Sequence, residues 1–531
     1  MLKAEESGPA EEATFGERLR KAQQLFLDGG FAEAAGLFQG LAHEQPDEVR
    51  LWVILAQCFE ALGDAPAELA ACEHAIALDP ALWRVRQRAA GILGDRGEIP
   101  AAAAHMQAIS DTLPNLVKPA LRLARLRAAL GDDEAETAAW IRVLAADPDQ
   151  IEAHSRLAEL HWQAGRHLAA APHLQRVAEA FPGRVKFLQR LAHCHEEAGD
   201  LDAAEATWAR VLQLDPGAME ASERLAKMRV FRGSPPVAGQ PAPAMRLAVL
   251  GNCQAYAMAR CIRALNPEVE IASIGWAELK SDKQVRRLVS SLEGLDAVLV
   301  QPVNHPQLEA LHPKALIRRP MRCVFFPALH FTGFHPDALL GPGRAGLGSL
   351  IGEWHSALIL AAYLRGLPPE RTEALFNAYI YGVLGYFDEY AKAEQFLQMR
   401  AAQVEWDLGA DLVAWRGARP FVHTPNHPNI EVMMSLARQL CIKAGLEFDA
   451  DAPAPADPFD RFGDWPVYPQ VGKRLGVPGE MVFVSPALQG RAFDLQAAIR
   501  WFYDAYAKAS PETLRFARVD AILETLKAEG I

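Results

Sequence analysis

The residues best placed for chemistry stand in Arg246-Leu-Ala-Val-Leu-Gly-Asn-Cys-Gln254, ahead of an amphipathic run from Ala255 to Leu265. The apolar stretch reads as a buried strand, and the run after Gln254 has helical spacing. Gly251 and Asn252 form the turn between them, because both tolerate left-handed dihedrals. Cys253 therefore sits where a strand ends and a helix begins. Unpaired backbone N–H groups and the positive end of the helix dipole favour an anion there. A thiol in that setting is expected to have its pKa lowered toward the nucleophilic thiolate. The competing reading is packing, since free cysteine is among the most buried residue types. Cys58, Cys72, Cys194, Cys261, Cys323 and Cys441 fall within predicted helices or strands and read as core.

Two further segments bring the partners a thiol needs: Phe326-Pro-Ala-Leu-His-Phe-Thr-Gly-Phe-His-Pro-Asp337 and Phe421-Val-His-Thr-Pro-Asn-His-Pro428. Each places histidine beside proline in a rigid, non-helical loop, where a side chain can be aimed. Local roles compete: His335-Pro336-Asp337 reads equally as a helix start, and His427 as part of the turn before the helix at Asn429. Taken together, Cys253 is the nucleophile, His335 or His427 the base, and Asp337 or Asn426 the orienting group. N–H groups near Asn252 to Gln254 are the oxyanion donors. This is the set that acyl transfer through a thiol requires. His423 and His427 are four apart, but Pro425 denies them a shared helix face. No compact ligand spacing appears, so no metal is expected.

These residues need a frame to hold them. Val269–Ile274, Leu295–Gln301 and Met321–Phe326 read as further strands, with a helix over Trp276–Leu292. Strands alternating with helices imply a parallel α/β sheet, whose ligands bind at the carboxyl ends of the strands. Cys253, Gln301-Pro302 and Pro327 to Asp337 all follow strand ends and could share one crevice. The three loops carrying Cys253, His330 to Asp337 and His423 to His427 are expected to converge. The Cys253 sulfur is then expected about 3–5 Å from a ring nitrogen of His335 or His427. Beyond Leu350 the pattern is mainly helical: Ile351–Leu364, Glu370–Leu397, Asn429–Ala444, Asp494–Ala507 and Pro511–Ala528.

Upstream, glycine recurs at Gly29, Gly63, Gly97, Gly131, Gly165 and Gly199, at 34-residue intervals. Pro46, Pro80, Pro114, Pro148, Pro182 and Pro216 keep the same spacing, as do Ala22, Ala56, Ala90, Ala124, Ala158 and Ala192. Helix, Gly turn, helix and Pro-ended loop resemble the tetratricopeptide repeat, a solenoid with a concave face for a protein partner. The expected plan is an α-solenoid followed by an α/β domain with a parallel sheet and a large helical portion. A flexible N-terminus (1–14) precedes six repeats and a capping helix (15–230), with Ala218 to Val230 covering the last repeat. A Pro/Gly/Ala linker (231–244) leads to the α/β domain (245–448), then to a Pro-rich segment with C-terminal helices (449–531).

With 531 residues and half of them apolar, the chain can build more than one core. A net charge of −12 argues against bulk nucleic-acid binding. Seven scattered cysteines without a CxxC pair argue against a disulfide framework. No secretory signal or spanning run is read, so the cytoplasm is the expected compartment.

Gly251-Asn-Cys-Gln254, Phe331-Thr-Gly-Phe-His-Pro-Asp337 and Thr424-Pro-Asn-His-Pro428, in this order, resemble the WcbI family of capsular-polysaccharide biosynthesis enzymes over about Met245 to Leu446. The resemblance implies a coenzyme A-binding acetyltransferase that decorates a surface polysaccharide or its precursor. It maps Cys253, His335 and His427 onto conserved polar positions of that family. Coenzyme A phosphates need cations or a helix N-terminus. Asn252, Gln254, Lys283, Arg286 and Arg287 are the expected contacts, with Lys280, Arg318, Arg319 and Arg322 as further basic positions. Two other functions fit the same residues. One is a thiol esterase with water as acceptor; the other is a non-enzymatic repeat scaffold of a glycan-assembly complex.

Overall fold

The computed structural model describes residues 14–233, 243, 245–341, 347–417 and 419–531. The expected flexible N-terminus and linker therefore lie, apart from Thr14, Phe231, Arg232, Gly233 and Pro243, outside the described residues.

The chain divides into two compact units, Met1–Gly217 and Ala218–Ile531. In the first, twelve helices pair in sequence, from Phe15–Leu27 with Phe31–Glu44 to Val185–Ala198 with Leu201–Leu214. The six periodic glycines end the first helix of each pair with φ between 67° and 82°, a conformation that costs any L side chain energy. The six periodic alanines are all buried, so neighbouring helices approach closely at those points.

The second unit opens with the helix Met219–Arg232, expected from sequence to cap the repeats. It ends at Gly233, also at positive φ and 233 − 199 = 34 residues after Gly199, so it keeps the repeat register. Its Ala226 and Val230 nevertheless pack into one core with Leu250, Ile274 and Leu288. Arg229 pairs with Glu270 at 2.6 Å, and Glu223 with Arg263 at 3.1 Å. This helix thus belongs to the second compact unit.

A four-stranded sheet forms the centre of this unit. Strands β1 (Met245–Gly251), β2 (Val269–Gly275), β3 (Ala297–Val300) and β4 (Cys323–Phe325) lie in the order β2-β1-β3-β4, and every pair is parallel. The central run Leu247–Leu250 and β3 are apolar throughout because both faces of the sheet are covered. Leu247, Val249 and Leu299 face the helices Gln254–Leu265 and Ile430–Ala444. Ala248, Leu250 and Val300 face Met219–Arg232 and Asp282–Leu292. The region from 449 onward has no core of its own: Trp465, Phe483, Phe502 and Val519 join the cluster that holds Leu247.

Four expected helices are broken; over Pro511–Ala528 the chain makes a 3-10 turn, Pro511–Leu514, and the helix runs Ala517–Ala528. Trp276–Glu278 is a single 3-10 turn, and Ser281 caps a new helix through its side chain. Trp354–Ser356 is a strand, and the helix starts only at Ala357, capped by Ser356. Glu370–Leu397 is interrupted at Asn377, an N-cap, and at Gly385, which has φ 72°. In these last three, local capping overrides apolar periodicity.

Candidate active site

Gly251 ends β1 at close quarters with β3. A Cβ there would stand 2.9 Å from the Gln301 side-chain carbon Cδ, so only glycine fits. Neither Gly251 nor Asn252 has positive φ. The turn needs glycine for space, not for left-handed dihedrals. Asn252 N–H donates to Gln301 Oε1 (2.9 Å), and Asn252 Oδ1 accepts from Gln254 N–H (2.9 Å), which caps the helix Gln254–Leu265.

Gln254 is 1% exposed, and all its side-chain capacity is spent inside the protein. Its Nε2 donates to the carbonyls of Leu329 (2.6 Å) and Asn426 (2.9 Å); its Oε1 accepts from Leu329 N–H and Gln301 Nε2, each at 3.0 Å. Phe331 N–H adds a bond to the Pro425 carbonyl (2.7 Å). The three loops therefore do meet at the carboxyl end of β1. Gln254 positions them and has no side-chain group left for a ligand.

Cys253 is exposed, unlike the other cysteines, which are buried apart from the half-buried Cys323. Desolvation of its sulfur pushes the thiol up to about 11, against opposing hydrogen bonds from the backbone of Cys253 and Gln254. The expected lowering is not found: desolvation outweighs those backbone hydrogen bonds, and no cationic side chain is among the influences on the sulfur. Among the described residues no hydrogen bond joins Cys253 to His335 or His427.

The two candidate bases differ sharply. His335 is 2% exposed; burial holds it at about 4, against hydrogen bonds with the backbone of Val422 and Pro466. Asp337 does not orient it. This fully buried carboxylate accepts from Tyr386 (2.7 Å), Tyr468 (2.6 Å), Ser356 and Leu358 N–H (2.8 Å), fixing the start of the helix Ala357–Leu364. Burial raises its pKa, while those four donors oppose the rise. His335 and Asp337 are core residues.

His427 is only 8% exposed and is not among the residues that line the neighbouring cleft. Its ring stacks against Phe459 and Phe462, with centroids 4.7 and 4.8 Å away. Its Nδ1 is 3.0 Å from Thr424 Oγ1, whose single proton goes to Asn426 Oδ1 (3.1 Å). The threonine oxygen therefore accepts from Nδ1–H, and Nε2 carries the lone pair. Burial, followed by His423, holds the ring at about 4, so it is neutral at pH 7. Asn426 serves as the second member of this relay. Thr424, which makes the direct contact, escaped the sequence reading; its place three residues before His427 was the available signal.

A cleft of about 240 Å³ opens beside the turn, lined by Asn252, Leu329, His330, Phe396, Arg400 and Asn426. Arg400 is its cation. Desolvation, then Arg400 and Arg518, hold His330 below its ordinary pKa. Lys283, Arg286 and Arg287 instead occupy the exposed face of the helix Asp282–Leu292, on the other side of the sheet, and none lines this cleft. No helix of the described residues is long and apolar enough to cross a membrane.

Comparison with known proteins agrees with this division. Residues 246–449 match the family model "polysaccharide biosynthesis enzyme WcbI"; residues 19–82, 121–185 and 161–227 match tetratricopeptide repeat models. Among solved structures, a WcbI protein described as native and lacking a disulfide bond between coenzyme A and a cysteine is 16% identical. That match covers 52% of this chain and 98% of that one, with TM-score 0.39. YrrB, a repeat protein with an unusual peptide-binding site, is 14% identical over 35% of this chain and 95% of its own, with TM-score 0.26. MamA from Desulfovibrio magneticus is 17% identical over 33% and 99%, with TM-score 0.25. No curated protein matches the chain. The chain carries tetratricopeptide repeats in its N-terminal part and a WcbI domain over residues 246–449.

Proposed function

We propose that the second unit is an acyl-CoA-dependent O-acyltransferase acting on a surface polysaccharide or its precursor, and that the repeats hold a protein partner. The observation that carries this reading is the relay Asn426–Thr424–His427, tied through Gln254 to the turn that bears Cys253. It supplies a neutral imidazole with a free Nε2, which is what a base acting on a sugar hydroxyl requires.

In this reading His427 Nε2 takes the proton as the acceptor oxygen attacks the thioester carbonyl. The N–H of Cys253 and the carboxamide of Asn252 stabilise the oxyanion. Its collapse breaks the C–S bond, and the leaving thiolate recovers the proton from the His427 imidazolium. Cys253 contributes its backbone and an exposed, protonated thiol rather than an acyl-enzyme. At about 240 Å³ the cleft is below the ~300–1,000 Å³ of a full ligand site, so it takes the reacting end of the donor.

The test is a thermal-shift titration of the full chain with coenzyme A, followed by acetyl transfer from acetyl-CoA to sugar acceptors. A rise in melting temperature with acceptor-dependent loss of acetyl-CoA is expected. Release of free acetate without an acceptor identifies a thiol hydrolase instead. A flat melting curve at millimolar coenzyme A leaves a repeat scaffold.

A further inference from the structure

We propose that His423, Asp457 and Asp460 form a divalent-cation site. One ligand atom from each lies within 4.8 Å of the other two. His423 Nε2 is 3.0 Å from Asp457 Oδ2 and 3.8 Å from Asp460 Oδ1. Metal–ligand bonds of about 2.0–2.3 Å set neighbouring donors roughly 3–4 Å apart, so one ion can reach all three after small adjustments. The other ring nitrogen, Nδ1, is 2.5 Å from Asp464 Oδ1. A carboxylate on the far nitrogen is how proteins orient a metal-binding imidazole and fix its tautomer.

The site is partly built before any ion arrives. Asp457 accepts from Ile430 N–H (2.7 Å) through Oδ2 and from Phe459 N–H (2.8 Å) through Oδ1. Its side chain is 8% exposed, while that of Asp460 is 73% exposed. The inner ligand is therefore fixed, and the outer side is open to water or a substrate oxygen.

One imidazole with two carboxylates suits Mn²⁺ or Zn²⁺ better than Ca²⁺, which takes six to eight oxygens. Coordination would also fix the segment between Asp457 and Asp464, which supplies both phenylalanine rings stacked against His427. The site stands independently of the acyl-transfer reading.

The test is calorimetric titration of the chelator-treated full chain with Mn²⁺ and with Zn²⁺, checked by the Mn²⁺ paramagnetic resonance signal. One saturable site per chain is expected, weakened at least ten-fold in Asp460→Asn. That side chain is exposed and accepts no backbone hydrogen bond, so the fold should survive. No saturable binding to the native chain up to about 1 mM overturns the site, as does equal affinity in Asp460→Asn. Either result leaves His423 as an imidazolium bridging carboxylates.

Discussion

The side-chain amide of Gln254 donates to the carbonyl of Asn426, 2.9 Å away and 172 residues later in the chain. With Leu329 and Gln301 completing its bonds, this one carboxamide joins the end of β1 to both histidine-bearing loops. Gln254→Ala should cost on the order of 2–4 kcal/mol by leaving buried donors and acceptors unmet. Gln254→Glu should be worse, because it sets a carboxylate against two carbonyls. Chemical denaturation of both variants measures the effect, and an unchanged midpoint would show that the loops meet without this hub.

Base and thiol should separate cleanly in kinetics. His427→Gln should lower acetyl transfer by about 10²–10⁴-fold, while Cys253→Ala stays within about ten-fold of the parent. Thr424→Val should fall between them, since it removes the group that fixes the tautomer. Intact mass after incubation with labelled acetyl-CoA should reveal no acyl adduct. An adduct lost in Cys253→Ala would restore a covalent mechanism.

Alkylation should report the protonated thiol directly. With its pKa pushed to about 11, Cys253 should react with iodoacetamide about ten-fold faster per pH unit from 7 to 9, without a plateau. Peptide mapping distinguishes it from the six less exposed cysteines. A plateau below pH 8 would mean that the thiolate forms readily after all.

Acid should weaken the second unit before the carboxylates titrate. His335, His355 and His427 are each held at about 4 by burial, below the ordinary 6.5. Unfolded, they bind protons as pH falls through 6.5; folded, they do so only near 4. The unfolded state thus binds more protons in that window, and stability drops from pH 6.5 to 4. His423, raised to about 10, contributes fully below 6.5 and does not alter the trend; Asp337, with its raised carboxyl pKa, works the other way. Melting at pH 7.5 and 5 should show a lower midpoint at 5. Equal midpoints would place these imidazoles in contact with solvent.

The sequence by itself determined the repeats, the parallel sheet and the segments that hold the site. Those properties rest on short-range patterns: a glycine that must take positive φ every 34 residues, and short, mainly apolar strand segments alternating with helical ones. How each histidine is held was decided only by tertiary structure. His335 and His427 occupy similar His-Pro loops, yet one is sealed in the core and the other stacks against two phenylalanines that follow it by more than 30 residues. Likewise Asp337 reads as an orienting acid until Tyr386 and Tyr468 arrive from distant segments to bind it. The thiol's pKa is also a tertiary property, because desolvation of the sulfur by surrounding chain outweighs the helix-terminal N–H groups. The helix Met219–Arg232 carries the repeat's punctuation, but its partner is chosen by the apolar surface it covers, here the sheet. Local rules act on neighbours in sequence; burial, desolvation and hydrogen-bond satisfaction act on neighbours in space, and only the folded chain supplies those.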